Sequence, residues 1–291
     1  MEKFNKFKDV LIKIVFFSGN VINHHLKYMA NRNNVTEFIL LGLTENPKMQ
    51  KIIFVVFFVI YIITVVGYVL IVVTITASPS LRSPMYFFLA YLSFIDACYS
   101  SVNTPNLITH SLYGKKAILF NGCMTQVFGE HFFGGAEGIL LTVMAYDHFV
   151  AVCHPLHYTA KMTHQLCALL VTGSWVVANS SALLHTLLMA RLSFCADNTI
   201  PHIFCDVTPL LKLSCSDTHL SEVMILTEAA LVTITPFLCL LASYMHITCV
   251  VLRVPSTKGR WKAFSTCGSH LAVVLLFYGT IMSPYFRTSS S

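Results

Sequence analysis

Residues 140–158 read LLTVMAYDHFVAVCHPLHY. The first half is almost wholly apolar. It then breaks into Asp147-His148, passes a proline, and reaches its third histidine at His157. An acid–imidazole pair at the end of an oily run has four readings: a catalytic relay, a metal site, a pH switch, or the terminus of a membrane helix. The rest of the chain chooses among them.

The chain has 291 residues, of which 55% are hydrophobic and 11% charged, and its mean hydropathy is +0.69. Soluble domains carry about 25% charged residues, so an ordinary cytosolic enzyme is excluded. Residues 52–81, 97–114, 162–190, 229–252 and 263–286 contain no Asp, Glu, Lys or Arg. A helix crosses about 30 Å of hydrocarbon with about 20 apolar residues, all its backbone polar groups paired within the segment. The pattern predicts six spans, at about 52–76, 84–106, 123–150, 164–188, 220–252 and 263–284, in an all-α membrane protein whose bundle covers 52–286. The net charge of +6 does not point to nucleic acid, because eight of the nineteen Lys and Arg precede Ile52 and no dense basic face follows.

Residues 1–28 form an atypical basic N-terminal extension whose short apolar run, Val10 to Phe17, is interrupted by Lys13. Residues 29–51 read as an extracellular tail and 287–291 as a short C-terminal end. Asn34-Val35-Thr36 is a glycosylation sequon, usable only if the tail faces the secretory lumen or the exterior. Asn179-Ser180-Ser181 has the same form but lies inside an apolar span. Of the ten cysteines, Cys98, Cys153, Cys167, Cys239, Cys249 and Cys267 lie in or beside apolar runs and read as small buried hydrophobes. Cys123, Cys195, Cys205 and Cys215 flank or occupy the polar connection 190–219 and allow three pairings. Disulfides persist on the oxidising side of a membrane, which puts that connection and the N-terminus outside and Asp147-His148 inside. No zinc-type spacing occurs, and no metal is expected.

MAYDHFVAVCHPLHY (144–158) is accompanied by PMYFFLAYLSFIDACYSS (84–101), LSFCADNTIPHIFCD (192–206), Ser243-Tyr244, KAFSTCGSHL (262–271) and FYGT (277–280). From Met29 to about Phe286 the chain resembles the olfactory receptors within the rhodopsin-like, class A G-protein-coupled receptors. The resemblance implies a rhodopsin-like helix bundle in the plasma membrane. It also implies a small odorant ligand, surrounding membrane lipid, and a heterotrimeric G protein of the olfactory stimulatory type. No cofactor or enzymatic activity is implied, and no nucleotide loop or Ser/His/Asp arrangement appears. Cys123 would pair with Cys205, and Cys195 with Cys215.

Counted from Cys123 at 1.5 Å per residue, Glu130 lies about 10 Å along the third helix, Glu137 about 20 Å and Asp147 about 36 Å. Ionisable groups at such depth face a bundle interior or water. Asp96 and Glu137 are intramembrane polar groups that hold helices together or hold a cation. The resemblance implies a ligand pocket bounded by Glu130, His131, Gly134, Glu228, Tyr278 and Ile281, mostly apolar with few polar anchors. Gly134, Gly135 and Gly138 serve either close helix packing or room for a ligand. Asp147, His148, Phe149 and Tyr244 would form the switch facing the G protein.

Three departures stand against the family pattern. His148 replaces an Arg and Phe149 a Tyr; Tyr68, in VVGYVLI (65–71), replaces an Asn; and nothing after Phe286 resembles a seventh helix. An imidazole is shorter than a guanidinium and mostly uncharged near neutral pH. Two expectations follow: an odorant-sensing receptor, or a truncated, non-signalling membrane protein retained in the endoplasmic reticulum.

Overall fold

The computed structural model describes residues 13, 18–22, 24, 26, 35–41, 44, 46–81, 83–113, 116–194, 198–200, 202–228, 234–252, 256, 261, 265, 268, 271–276 and 279. Its first long helix, α1 (Pro47–Ala77), begins ahead of the charge-free run. Asn46 caps it, its side chain accepting a hydrogen bond from the Lys48 amide at 3.0 Å, and Pro47 fits the first turn, where no amide is needed. Among the described residues of α1 only Ile75 is buried, while Ile63 and Leu70 are 67% and 58% exposed. Such a helix suits hydrocarbon, which penalises unpaired backbone groups and not apolar side chains.

The second helix, α2 (Pro84–Tyr113), runs through Pro105 and past residue 106, where the sequence pattern ends the span. A proline removes one backbone bond; leaving the helix within lipid would orphan several more. The third, α3 (Phe120–Cys153), and the fourth, α4 (His164–Arg191), are joined by a 3-10 turn at Pro155–His157 and a single helical turn at Tyr158–Lys161. Thr163 caps α4 by accepting from the Leu166 amide at 3.2 Å. The short α5 (Val207–Leu213) precedes α6 (His219–Glu228) and α7 (Thr235–Leu252). The expected span 220–252 thus covers α6 and α7, with 229–233 outside the described residues. In the expected span 263–284, residues 271–276 are helical; most of the rest, and 287–291, lie outside the described residues. Among the described residues four helices are long and apolar enough to cross a membrane: Pro47–Ala77, Pro84–Thr109, Phe120–Cys153 and His164–Ala190.

The pillar is α3, which packs against α2, α4 and α7 and buries side chains from Phe120 to Val150. Within lipid, helices associate through close packing and not through water exclusion, and the glycines of α3 permit it. A methyl group on Gly135 would meet the Ala178 methyl of α4 at 3.5 Å, and one on Gly129 would meet Val102 of α2 at 2.9 Å. Trp175 of α4 fills the centre, stacked on Phe94 with ring centroids 6.1 Å apart and edge-on to Phe132 at 5.3 Å.

A small sheet that the helical reading does not contain caps the Cys123 end. Its strands are β1 (Glu37–Leu40), β2 (Lys116–Leu119) and β3 (Thr199–Ile200), in the order β2-β1-β3. Strand β1 runs antiparallel to β2, from Glu37 opposite Leu119 to Leu40 opposite Lys116, and parallel to β3, with Ile39 opposite Thr199. Phe38 anchors it, fully buried against Phe120 and Phe194. The polar tail 29–51 therefore contributes a structural strand. Within the basic extension Ser18, Ile22 and Leu26, spaced four apart, are also buried.

The cysteines expected to be buried divide. Cys167 is buried, Cys98 and Cys153 are half-buried, and Cys239 and Cys249 are exposed. The last two correct the reading of small buried hydrophobes: both lie on α7, where an outward side chain meets hydrocarbon at no penalty.

Candidate functional site

A disulfide joins Cys123, in the first turn of α3, to Cys205 in the long connection after α4, with Cα atoms 5.4 Å apart. Gln126, one turn along, reinforces it on both sides. Its amide nitrogen donates to Asn103 Oδ1 of α2 at 2.8 Å, and its carbonyl accepts from the Cys205 amide at 3.1 Å. The connection is thereby tied to two helices at once. Cys215 is also disulfide-bonded; its expected partner Cys195 lies outside the described residues, as do Asn34, Cys267, Tyr278 and Ile281.

Below this tether α3 presents two faces. Towards α2 lie Gly129, Glu130 and Gly134. A methyl on Gly134 would stand 3.8 Å from the Tyr99 hydroxyl, and Glu130 acts electrostatically on the same phenol. Glu130 Oε2 is sealed from solvent and has no hydrogen-bond partner among the described residues. Towards α4 lie His131, Gly135, Ile139 and Val143. The His131 ring sits 5.4 Å from that of His185, and its Nδ1 donates to the Val127 carbonyl at 3.0 Å. Three residues expected around one pocket are therefore divided, because neighbouring positions on a helix point about 100° apart: Glu130 and Gly134 face α2, His131 faces α4.

On the α4 side a cavity of about 630 Å³ opens between α3, α4 and α6. Ile139, Val143, Leu170, Val177, Met224 and Thr227 line it, with His185 at its polar end. Glu130, His131 and Gly134 are not among these lining residues, and Glu228, which ends α6, follows Thr227 directly in sequence.

Deeper along α3, Tyr68 of α1 and the Asp96 carboxylate of α2 interact electrostatically, and Asp96 in turn acts on Glu137. The Tyr68 phenol thus couples α1 to the acidic groups of α2 and α3.

At the far end of α3 Asp147 and His148 are 2% and 7% exposed. Each has a hydrogen-bond partner of its own. Asp147 Oδ1 accepts from the Tyr158 hydroxyl at 2.9 Å, and His148 Nδ1 donates back to the Met144 carbonyl at 2.8 Å. Burial first, and then the Asp147 carboxylate, push the Tyr158 phenol well above its ordinary pKa. Phe149 packs on the His246 ring of α7 at 5.3 Å, and Cys153 Sγ lies 3.2 Å from His246 Nδ1. Tyr244, also on α7, is buried. Among the described residues no three His, Cys, Asp or Glu side chains converge as a metal site.

Gln126, Tyr99, Tyr158, His185 and His246 are contributors that sequence reasoning missed. Tyr158 had a visible signal, as the last residue of the quoted run. The others meet their partners across helices, which no local spacing reveals.

Comparison with known proteins supplies what geometry leaves open. The family model described as "Olfactory receptor" matches residues 57–287. The chain is 71% identical over 258 residues to human "Putative olfactory receptor 1F2", covering 89% of this chain and 82% of that one. It is 64% identical to human olfactory receptor 1F1 and 61% identical to rat olfactory receptor 1f45, each over 262 residues, covering 90% of this chain and 84% of the relative.

Proposed function

This chain belongs to the olfactory receptor family, is a multi-pass membrane protein and is not an enzyme; on that premise we propose that it binds a small volatile odorant within its helix bundle and couples to a heterotrimeric G protein. The Cys123 end faces outward and the Asp147 end inward, at the plasma membrane. The observation that carries this reading is the tether at Cys123–Cys205, reinforced by Gln126. It holds a lid over the half of α3 that carries Glu130, His131 and Gly134. The ligand works by favouring one packing of the bundle over another, and the readout lies at Asp147, His148, Phe149 and Tyr244. Expression with an olfactory stimulatory G protein, a broad odorant panel and a cAMP readout tests this directly. An evoked rise is the expected result. A receptor detected at the surface by biotinylation that stays silent, and remains silent as His148→Arg, refutes it.

A second reading is a non-signalling membrane protein held in the endoplasmic reticulum. One observation favours it: His148 is buried and turned back on its own helix. Endoglycosidase-sensitive sugar at Asn34 with no surface biotinylation is the pattern that reading requires.

A further inference from the structure

We propose that the cavity between α3, α4 and α6 binds a straight-chain primary alcohol that arrives dissolved in the membrane. The inference rests on the receptor reading above and deepens it, naming a ligand class and a site apart from Glu130 and Gly134. The cavity holds about 630 Å³, within the range of small-molecule sites. Its lining follows α4 from Leu169 to His185, a rise of about 24 Å, so an extended chain suits it better than a compact ring. Leu169 and Val177 are exposed, and in a membrane-spanning chain the cavity therefore opens sideways to hydrocarbon. Gly173 leaves that wall clear, since a methyl group there would meet nothing within 4 Å.

No Asp, Glu, Lys or Arg is among the described residues that line the cavity, so an ammonium ion or a carboxylate finds no counter-charge there. The polar groups sit mainly at one end. Counted from the ends of α4 and α6 nearest the connection between them, His185 lies about 9 Å deep and Thr227 about 12 Å. His185 is 2% exposed, its ring held 5.4 Å from that of His131. The Thr227 hydroxyl donates to the Val223 carbonyl at 2.7 Å. A hydroxyl has one proton and two lone pairs, so Thr227, its proton committed to its own helix, offers the cavity an acceptor. An ether brings only another acceptor; an alcohol brings the donor that Thr227 lacks. Deeper in, the lining is Val177, Leu170, Ile139 and Val143, and Ser174 is already satisfied, donating to the Leu170 carbonyl at 2.8 Å. An alcohol with its hydroxyl at Thr227 and His185 and its chain directed along Val177 and Leu170 matches that order of polar and apolar groups.

The experiment uses the full chain in phosphatidylcholine nanodiscs and a 1-decanol probe with a photoreactive diazirine in its chain. Peptide mapping locates the labelled residues, and α1, which exposes apolar side chains along its length, reports labelling by probe merely dissolved in lipid. Expected is saturable labelling of the cavity wall on α3, α4 and α6, competed by 1-decanol about fivefold better than by decyl methyl ether, the worth of one hydrogen bond. Thr227→Val, which keeps size and shape, should abolish that preference and leave the ether unchanged. Gly173→Leu, whose side chain begins in open space, should abolish the saturable labelling. Equal competition by alcohol and ether, a preference unchanged in Thr227→Val, or labelling no more saturable than that of α1 overturns the inference. So does competition by cholesterol or decanoic acid stronger than by 1-decanol. Odorant-evoked cAMP without saturable labelling of the cavity overturns it and leaves the receptor reading in place; the expected labelling with no cAMP response supports it while that reading fails.

Discussion

Adding one methyl group at Gly129 tests how α2 and α3 fit. That methyl would sit 2.9 and 3.0 Å from the two γ-methyls of Val102 and 3.6 Å from its Cβ. Carbon atoms in ordinary contact are about 3.5–4.0 Å apart, so the new group arrives roughly half an ångström too close. Val102 cannot turn aside: both its methyls are already involved, and a β-branched side chain in a helix has one strongly preferred rotamer. The two helices must therefore separate, and overpacking of this kind costs about 1–3 kcal/mol. Replacing glycine by alanine within a helix returns about 1 kcal/mol, so Gly129→Ala should be neutral to about 2 kcal/mol less stable. Gly135→Ala isolates the clash. Its methyl would meet the Ala178 methyl at 3.5 Å, an ordinary contact, so that variant keeps the propensity gain alone and should be neutral or slightly stabilised. Removing the offending methyls in Gly129→Ala with Val102→Ala should recover about 1–3 kcal/mol relative to the sum of the single changes. Unfolding of the purified variants in mixed detergent, with the disulfides intact, measures all four. The reasoning fails if Gly129→Ala is as stable as Gly135→Ala, or if Val102→Ala produces no coupling.

Cys205→Ser opens a closure between residues 82 apart in sequence, for which chain entropy alone gives an upper bound of about 4–5 kcal/mol. Cys123→Ser should be equally destabilised and the double variant no worse, as read by non-reducing thermal unfolding. Tyr68→Phe removes the hydroxyl that interacts with Asp96 between α1 and α2; polar contacts between helices in lipid are worth about 0.5–2 kcal/mol, and the same unfolding assay should register that loss. Tyr158→Phe frees the connection after α3 from Asp147. A loss of about 1 kcal/mol speeds local opening roughly fivefold, which hydrogen exchange across residues 154–163 should report, with Asp147→Ala giving a similar increase.

The apolar runs located α1 to α4 because hydrocarbon leaves a backbone few choices, and the absence of charge marks where hydrocarbon lies. Helix ends were less legible. Asn46 and Pro47 start α1 before the charge-free run, and α2 continues past Pro105. Strand β1 was invisible because EFIL is too short to show alternation and draws its partners from residues far along the chain. Facing was the hardest property to read. Glu130 and His131 are adjacent in sequence yet serve different neighbours, one towards Tyr99 and the other towards His185. Depth along a helix follows from counting; azimuth depends on what the other helices present.

The middle position of β1 has a consequence for biosynthesis. Glu37–Leu40 leaves the ribosome early, yet one of its two partners, Thr199–Ile200, is made only after four long helices have been synthesised. Its other partner, Lys116–Leu119, follows the second long helix, so β1 can pair along one edge early while its second edge must wait until the β3 strand is synthesised. An early cleavage between residue 40 and α1 would leave every spanning helix intact and still deprive the finished protein of the strand that joins β2 to β3.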